Sequence, residues 1–236
     1  MEFVDVVTHR RMRRHFDSQR PVSRETVVRL LELAVQAPSA GFSQGWHFLV
    51  LHRREDLDLY WTVTAGPGPG DGWLTGMRTA PVVVLAWSDP ERYRRRYALA
   101  DKRTSPAATT GHGLTGTDLE HWPVAWWDAD TAMAGLLVLL GAVDVGLVGA
   151  FAGVPVERWD HVRAAFGVPG RLRPVAALAL GYPDPGAPPR RTRRRRPLAS
   201  VISVGRYGSD GRHGSDGRYR SDDRHRSDPE GASGSE

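Results

Sequence analysis

The chain has 236 residues, a formal net charge of +5 and no cysteine. Its length suits one good-sized domain, and its 40% hydrophobic and 25% charged residues lie near the average for soluble globular proteins. Without cysteine, disulfide scaffolds, thiolate-ligated zinc or iron–sulfur sites and cysteine nucleophiles are excluded. The start, MEFVDVVTHRRMRRHF, lacks the charged, apolar and small-residue order of a secretory leader, so a cytoplasmic protein is expected.

The positive charge is local. From Gly208 onward five arginines face five aspartates and two glutamates, which leaves +7 on residues 1–207. Six of those charges are Arg190, Arg191, Arg193, Arg194, Arg195 and Arg196. The remaining surface is close to neutral, so a general affinity for nucleic acid does not follow from the basic balance.

In chain order, a first arginine cluster occupies His9 to Arg14. Ser23 then reads as the N-cap of a helix whose apolar face carries Val27, Val28, Leu30, Leu31, Leu33, Ala34 and Val35, with Pro38 ending it. The stretch 38–48, PSAGFSQGWHF, combines small residues that let backbone approach a ligand with the donors and acceptors of Ser39, Ser43 and Gln44. The same stretch also reads as a capped turn leading into a strand. Residues 47–52 and 81–87 read as short buried strands, with a loop over 65–73 between them, and residues 174–181 read as a third.

Residues 101–127 are rich in glycine and proline and show little periodicity, the pattern of a lid or of disorder, with Trp122, Trp126 and Trp127 favouring a lid. Asp130 reads as the cap of an apolar helix, and the apolar run continues to Val154. Its glycines and Asp144 favour a core or subunit-interface helix over a membrane span. From Gly208 a six-residue repeat (GSDGRH, GSDGRY, RSDDRH, RSDPEG) lacks apolar residues and is expected to be disordered over 208–236. The ordered body, 1–207, is expected to be one α+β domain with a central sheet flanked by helices.

The two arginine clusters would make a phosphate site if they converge, because guanidinium binds phosphate through two parallel hydrogen bonds. Taken singly, each also reads as a solvated face. Trp126 and Trp127 read either as a stacking surface for an aromatic substrate or as core. Asp101, Lys102 and Arg103 are placed to meet an anion. His112 and His121 lack metal-ligand spacing, so no metal site is expected.

Arg10-Arg11-Met12-Arg13-Arg14, followed one helix later by PSAGFSQGWHF, resembles the FMN-dependent nitroreductase family. The likeness continues through the apolar helix, Gly149-Ala150-Phe151, Gly181-Tyr182-Pro183 and the closing Arg193 to Leu198, over roughly residues 3–207. It implies a mainly antiparallel sheet flanked by helices, in an intertwined homodimer with both active sites at the interface. Arg10, Arg11, Met12 and Arg14 would lie at the FMN phosphate and ribityl chain, and Arg193 and Arg195 would complete the phosphate site. Pro38, Ser39, Ala40, Phe42 and Gln44 would line the flavin from the partner subunit. Backbone groups of Gly149, Ala150 and Phe151 would face the ring's N5 edge, while Lys102, Trp126 and Trp127 would meet substrate.

Three residues depart from the family pattern: Met12 stands where serine is usual, Phe42 where asparagine is common and Gly45 where proline is common. The implied activity passes hydride from NADH, NADPH or a similar donor, through FMN, to a nitroaromatic, quinone or enone in a ping-pong cycle. No side chain is expected as acid–base catalyst. Three other readings stay open at this point. One is a flavin-dependent desaturase or oxidase of a specialised metabolite on the same fold. The second is a flavin-binding protein without turnover. The third is an anion or nucleic-acid binder using Arg190 to Arg196 and the tail.

Overall fold

A computed structural model describes residues 1–65, 70–103, 122–187 and 194–208. The lid expected within 101–127 and the tail from residue 209 fall largely or wholly outside them, as do Arg193, His112 and His121. The chain divides into two units, Met1–Pro188 and Pro189–Glu236.

The first unit is built on a four-stranded sheet in the order β1-β2-β4-β3, every neighbouring pair antiparallel. The strands are β1 (Trp46–Leu51), β2 (Val82–Ser88), β3 (Val148–Ala152) and β4 (Arg173–Gly181). The strands expected at 47–52, 81–87 and 174–181 are therefore present to within a residue or two. β2 is buried along its whole length, as its unbroken Val-Val-Val-Leu-Ala-Trp run requires of a strand covered on both faces.

Alternation along the strands sorts their side chains into two layers. Val83, Leu85 and Trp87 of β2 join Ala177 and Ala179 of β4 against α3 (Arg54–Thr64) and Val162 of α8 (Trp159–Phe166). Val82, Val84 and Ala86 join Leu178 and Leu180 against α2 (Arg24–Ala34) and α7 (Trp126–Asp144). Ser23 caps α2 as expected, its hydroxyl accepting from the Thr26 N–H at 3.1 Å. The remaining helices are α1 (Phe3–His9), α4 (Gly72–Met77), α5 (Pro90–Tyr97) and α6 (Ala100–Arg103).

Three expectations are corrected. The apolar run 132–154 is not one helix: α7 stops at Asp144, Gly146 turns the chain with φ +76°, and β3 follows. Only glycine takes that left-handed conformation without a Cβ clash. Asp130 does not cap α7, which begins at Trp126; it lies inside the helix and is 1% exposed. The 65–73 loop ends early, because Asp71 caps α4 by accepting from the Leu74 N–H at 2.9 Å.

α7 is long and apolar enough to cross a membrane, but nine of its residues are buried, with Ala134, Val138, Leu139 and Ala142 in the layer against the sheet. Those four place it as a core helix. Its other side carries Ala129, Met133, Leu136, Leu140 and Val143, spaced alternately four and three residues apart and left half-buried or exposed. That spacing draws an apolar seam along one helix face.

Candidate functional site

The expected site residues gather at two places on opposite edges of the sheet. At the β3 edge, residues 10–16 leave α1 in extended form and run beside β3. Met12 forms a parallel bridge with Gly149, and the Arg13 N–H donates to the Gly149 carbonyl at 2.9 Å. The Phe151 N–H is directed at the Met12 Sδ, 3.4 Å away. Arg10 to Arg14 and Gly149 to Phe151, far apart in sequence, are thus brought together.

Their side chains differ in availability. Arg10 is half-buried, and its Nη1 is buried without a hydrogen-bond partner among the described residues. A guanidinium nitrogen withdrawn from water with no acceptor is costly alone and suits an anion. Arg11 folds back onto the carbonyls of Thr8 and Arg10. Arg14 is exposed, and Ala150 points into the core. The Phe151 ring packs where a Cβ on Gly135 of α7 would lie 3.1 Å from it. Beyond the end of β3, a cavity of about 200 Å³ is bordered by Gly153, Tyr60, Trp61, Asp71 and Trp73.

At the β1 edge, residues 38–45 form a tight turn around a short 3₁₀ segment, Ala40–Phe42. Gly41, Phe42 and Gln44 all have left-handed backbones, at φ +62°, +57° and +48°. For Phe42 and Gln44 this conformation is unfavourable by about 1–2 kcal/mol each, so the surroundings must enforce it. They do so through side chains. Asp130 Oδ2 accepts from the Ala40 N–H at 2.8 Å and from the Tyr93 hydroxyl at 2.7 Å. Ser39 Oγ accepts from the Gln44 N–H at 3.0 Å, and the Ser43 hydroxyl donates to the Ala40 carbonyl at 2.6 Å. Arg96 Nε donates to the Gly41 carbonyl at 2.7 Å while its terminal nitrogens grip Asp101.

Gly45 is required here, since a Cβ would sit 2.3 Å from the Tyr93 ring. Phe42, held in this frame, remains 77% exposed. Burial, followed by the bond to Asp130, pushes the Tyr93 phenol well above its ordinary range, so it stays a donor.

Between this turn and the start of α7 lies a cavity of about 410 Å³, lined by Pro38, Ser39, Ala40, Tyr97, Trp126, Asp130 and Met133. Trp126 is therefore a wall of the cavity. Trp127 is not: it packs in an aromatic cluster with Tyr93, Tyr97 and Trp122, 6.0 Å from Trp122 and 6.3 Å from Tyr93. Lys102 is not among the lining residues; its ammonium lies 5.5 Å from the Tyr97 ring centre. Asp130, Tyr93, Tyr97 and Arg96 were not among the expected site residues. For α5, the Asp89-Pro90-Glu91 opening was a readable helix start that would have placed Tyr93 and Tyr97 on one face.

A family model described as the Nitroreductase family matches residues 7–182. The chain belongs to the Nitroreductase family. A relative from Methanothermobacter thermautotrophicus, provisionally named NADH dehydrogenase/NAD(P)H nitroreductase, is 26% identical over 190 residues, covering 79% of this chain and 81% of its own. Among solved structures, a provisionally named nitroreductase from Exiguobacterium sibiricum in complex with FMN superposes with a TM-score of 0.64 at 22% identity. It spans 86% of this chain and 97% of its own. A nitroreductase family protein from Streptococcus pneumoniae gives a TM-score of 0.63 at 19% identity, over 86% and 99% of the two chains. These structural likenesses establish the nitroreductase fold for this chain.

The second unit is described over residues 194–208. It holds a 3₁₀ turn, Leu198–Ser200, in which Arg196 Nη2 donates to the Ser200 carbonyl at 2.8 Å. Arg195 lies here and is exposed.

Proposed function

We propose that the protein is an FMN-dependent oxidoreductase that takes hydride from NADH or NADPH and passes it to a nitroaromatic, quinone or enone in a ping-pong cycle. The family match over residues 7–182 carries this reading. Arg10 supports it, because its buried Nη1, without a partner among the described residues, suits the phosphate of FMN. Bound FMN would supply the hydride acceptor and donor. The protein's part would be to hold the phosphate through Arg10 and Arg14. The backbone of residues 149–151 and the rigid turn at 38–44 would shape the two sides of the ring pocket. No side chain acts as acid–base catalyst in this scheme.

The site is completed by a second copy of the chain. The 10–14 segment runs outside β3 and the 38–45 turn leads into β1 at the other edge of the sheet, four strand spacings or about 19 Å away across it. The apolar seam of α7, together with exposed Phe3, Val4 and Val7 on α1 and Val28 on α2, offers a surface for that copy.

The test is the visible spectrum of the purified full-length protein before and after denaturation, with the released chromophore identified. FMN, followed by parallel-line kinetics with a reduced nicotinamide and a quinone, is the expected result. A colourless protein that takes up no added FMN would refute the reading. Light scattering should give a dimer, and Leu136→Glu should yield a monomer that loses FMN.

A further inference from the structure

We propose that the cavity between the 38–45 turn and the start of α7 binds a small organic cation carrying an aromatic ring, with Asp130 as its counter-ion. The inference deepens the reading above by naming a substrate class, and rests on it only in taking the occupant as substrate.

Asp130 lines this cavity and is 1% exposed. Its carboxylate meets two neutral donors, the Ala40 N–H and the Tyr93 hydroxyl, both on Oδ2. Among the described residues no arginine, lysine or histidine forms an ion pair with it. Arg96, the nearest guanidinium to the turn, is committed to Asp101 and the Gly41 carbonyl. A carboxylate removed from water is compensated far better by a cation than by neutral donors alone. Within the described lining of the cavity, the Asp130 carboxylate thus meets neutral donors and no cation.

Those walls favour a cation on other grounds. Tyr97 and Trp126 offer aromatic rings, whose negative faces attract ammonium and amidinium groups. The Tyr97 ring already draws one, the Lys102 ammonium at 5.5 Å. Met133 adds a polarisable thioether, and a volume of about 410 Å³ holds a single aromatic ring with a charged substituent. An anionic ligand would meet Asp130, and a neutral one would leave its charge uncompensated.

The experiment is calorimetric titration of the full-length protein as purified with three benzyl compounds of different charge. These are benzyltrimethylammonium, its uncharged carbon isostere neopentylbenzene, and phenylacetate. The cation should bind about tenfold or more tightly than the isostere, with no measurable binding of phenylacetate. Asp130→Asn, which keeps an acceptor for Ala40 and Tyr93, should erase the preference. Tyr93→Phe keeps the charge and should retain it. Lys102→Met removes a competing ammonium and should tighten cation binding.

Equal binding of cation and isostere, failure of the cation to bind, or a preference surviving in Asp130→Asn would each overturn the proposal. The flavin content of the same samples separates the two readings. A protein without FMN that still selects the cation refutes the oxidoreductase, and a flavoprotein indifferent to charge refutes the cation site.

Discussion

Residues 10–16 and residues 38–45 are both expected at the same site, yet they are held by different means. The first segment is fixed mainly through its backbone: Arg13 donates to the Gly149 carbonyl, and Asp17 to the Tyr182 carbonyl at 3.0 Å. Phe16 adds a main-chain N–H to the Thr79 hydroxyl at 2.9 Å. The second is fixed by side chains from α5 and α7, with Asp130 taking the central place. A path set by backbone pairing survives changes of side chain, which is how Met12 can stand where the family usually has serine. A path set by a few side chains does not. It can in return hold Phe42 in a conformation the residue would not choose.

The sharpest way to break this contrast is Asp130→Ala. It strands the Ala40 N–H and the Tyr93 hydroxyl in a buried setting, and should cost about 3 kcal/mol in urea denaturation. Alkali should attack the protein through its buried phenols. Burial raises Tyr60 and Tyr93 above the ordinary value of 10.0, so the folded chain keeps both neutral while the unfolded chain ionises them. The stability this confers is complete below pH 10 and falls as pH rises above it. The slope is at most about 1.4 kcal/mol per pH unit for each tyrosine. Thermal melts from pH 9 to 11 should show the decline, and Tyr93→Phe should make it shallower.

A smaller effect, of opposite sign, is expected at Phe42. Asparagine tolerates a left-handed backbone, so Phe42→Asn should stabilise the chain by about 0.5–1 kcal/mol. If the exposed ring packs on FMN, the same variant should release the flavin more readily, which a fluorescence titration would detect. The smallest change belongs to the other edge. Met12→Leu removes the sulfur facing the Phe151 N–H but leaves the Arg13–Gly149 bond, and should shift stability by less than about 0.5 kcal/mol. A large loss there would erase the distinction between the two edges.

Much of the fold was legible wherever local signals were strong. The Ser23 cap and its apolar face marked α2, and continuous apolar runs marked β2 and β4. α3 and α8 were missed because each buries only one to three residues in a short segment. α5 was missed although Asp89-Pro90-Glu91 announces it. Of the expected site residues, Met12 and Arg13 lie beside Gly149 and Phe151, and Trp126 forms a cavity wall. Trp127 turned into the aromatic core, because on a helix adjacent residues face about 100° apart.

The sequence by itself determined the family, the α+β class, the core strands and the small-residue turn after Pro38, since these rest on composition, periodicity and contiguous motifs. Only the tertiary structure decided that the apolar run divides into α7 and β3, and that Asp130 is a buried clamp and not a cap. It also decided that the two halves of the expected site lie at opposite edges of one sheet. The physical reason is the same in each case. Where a run breaks and what a carboxylate bonds depend on partners up to 90 residues away, such as Ala40 for Asp130, and no local pattern encodes them.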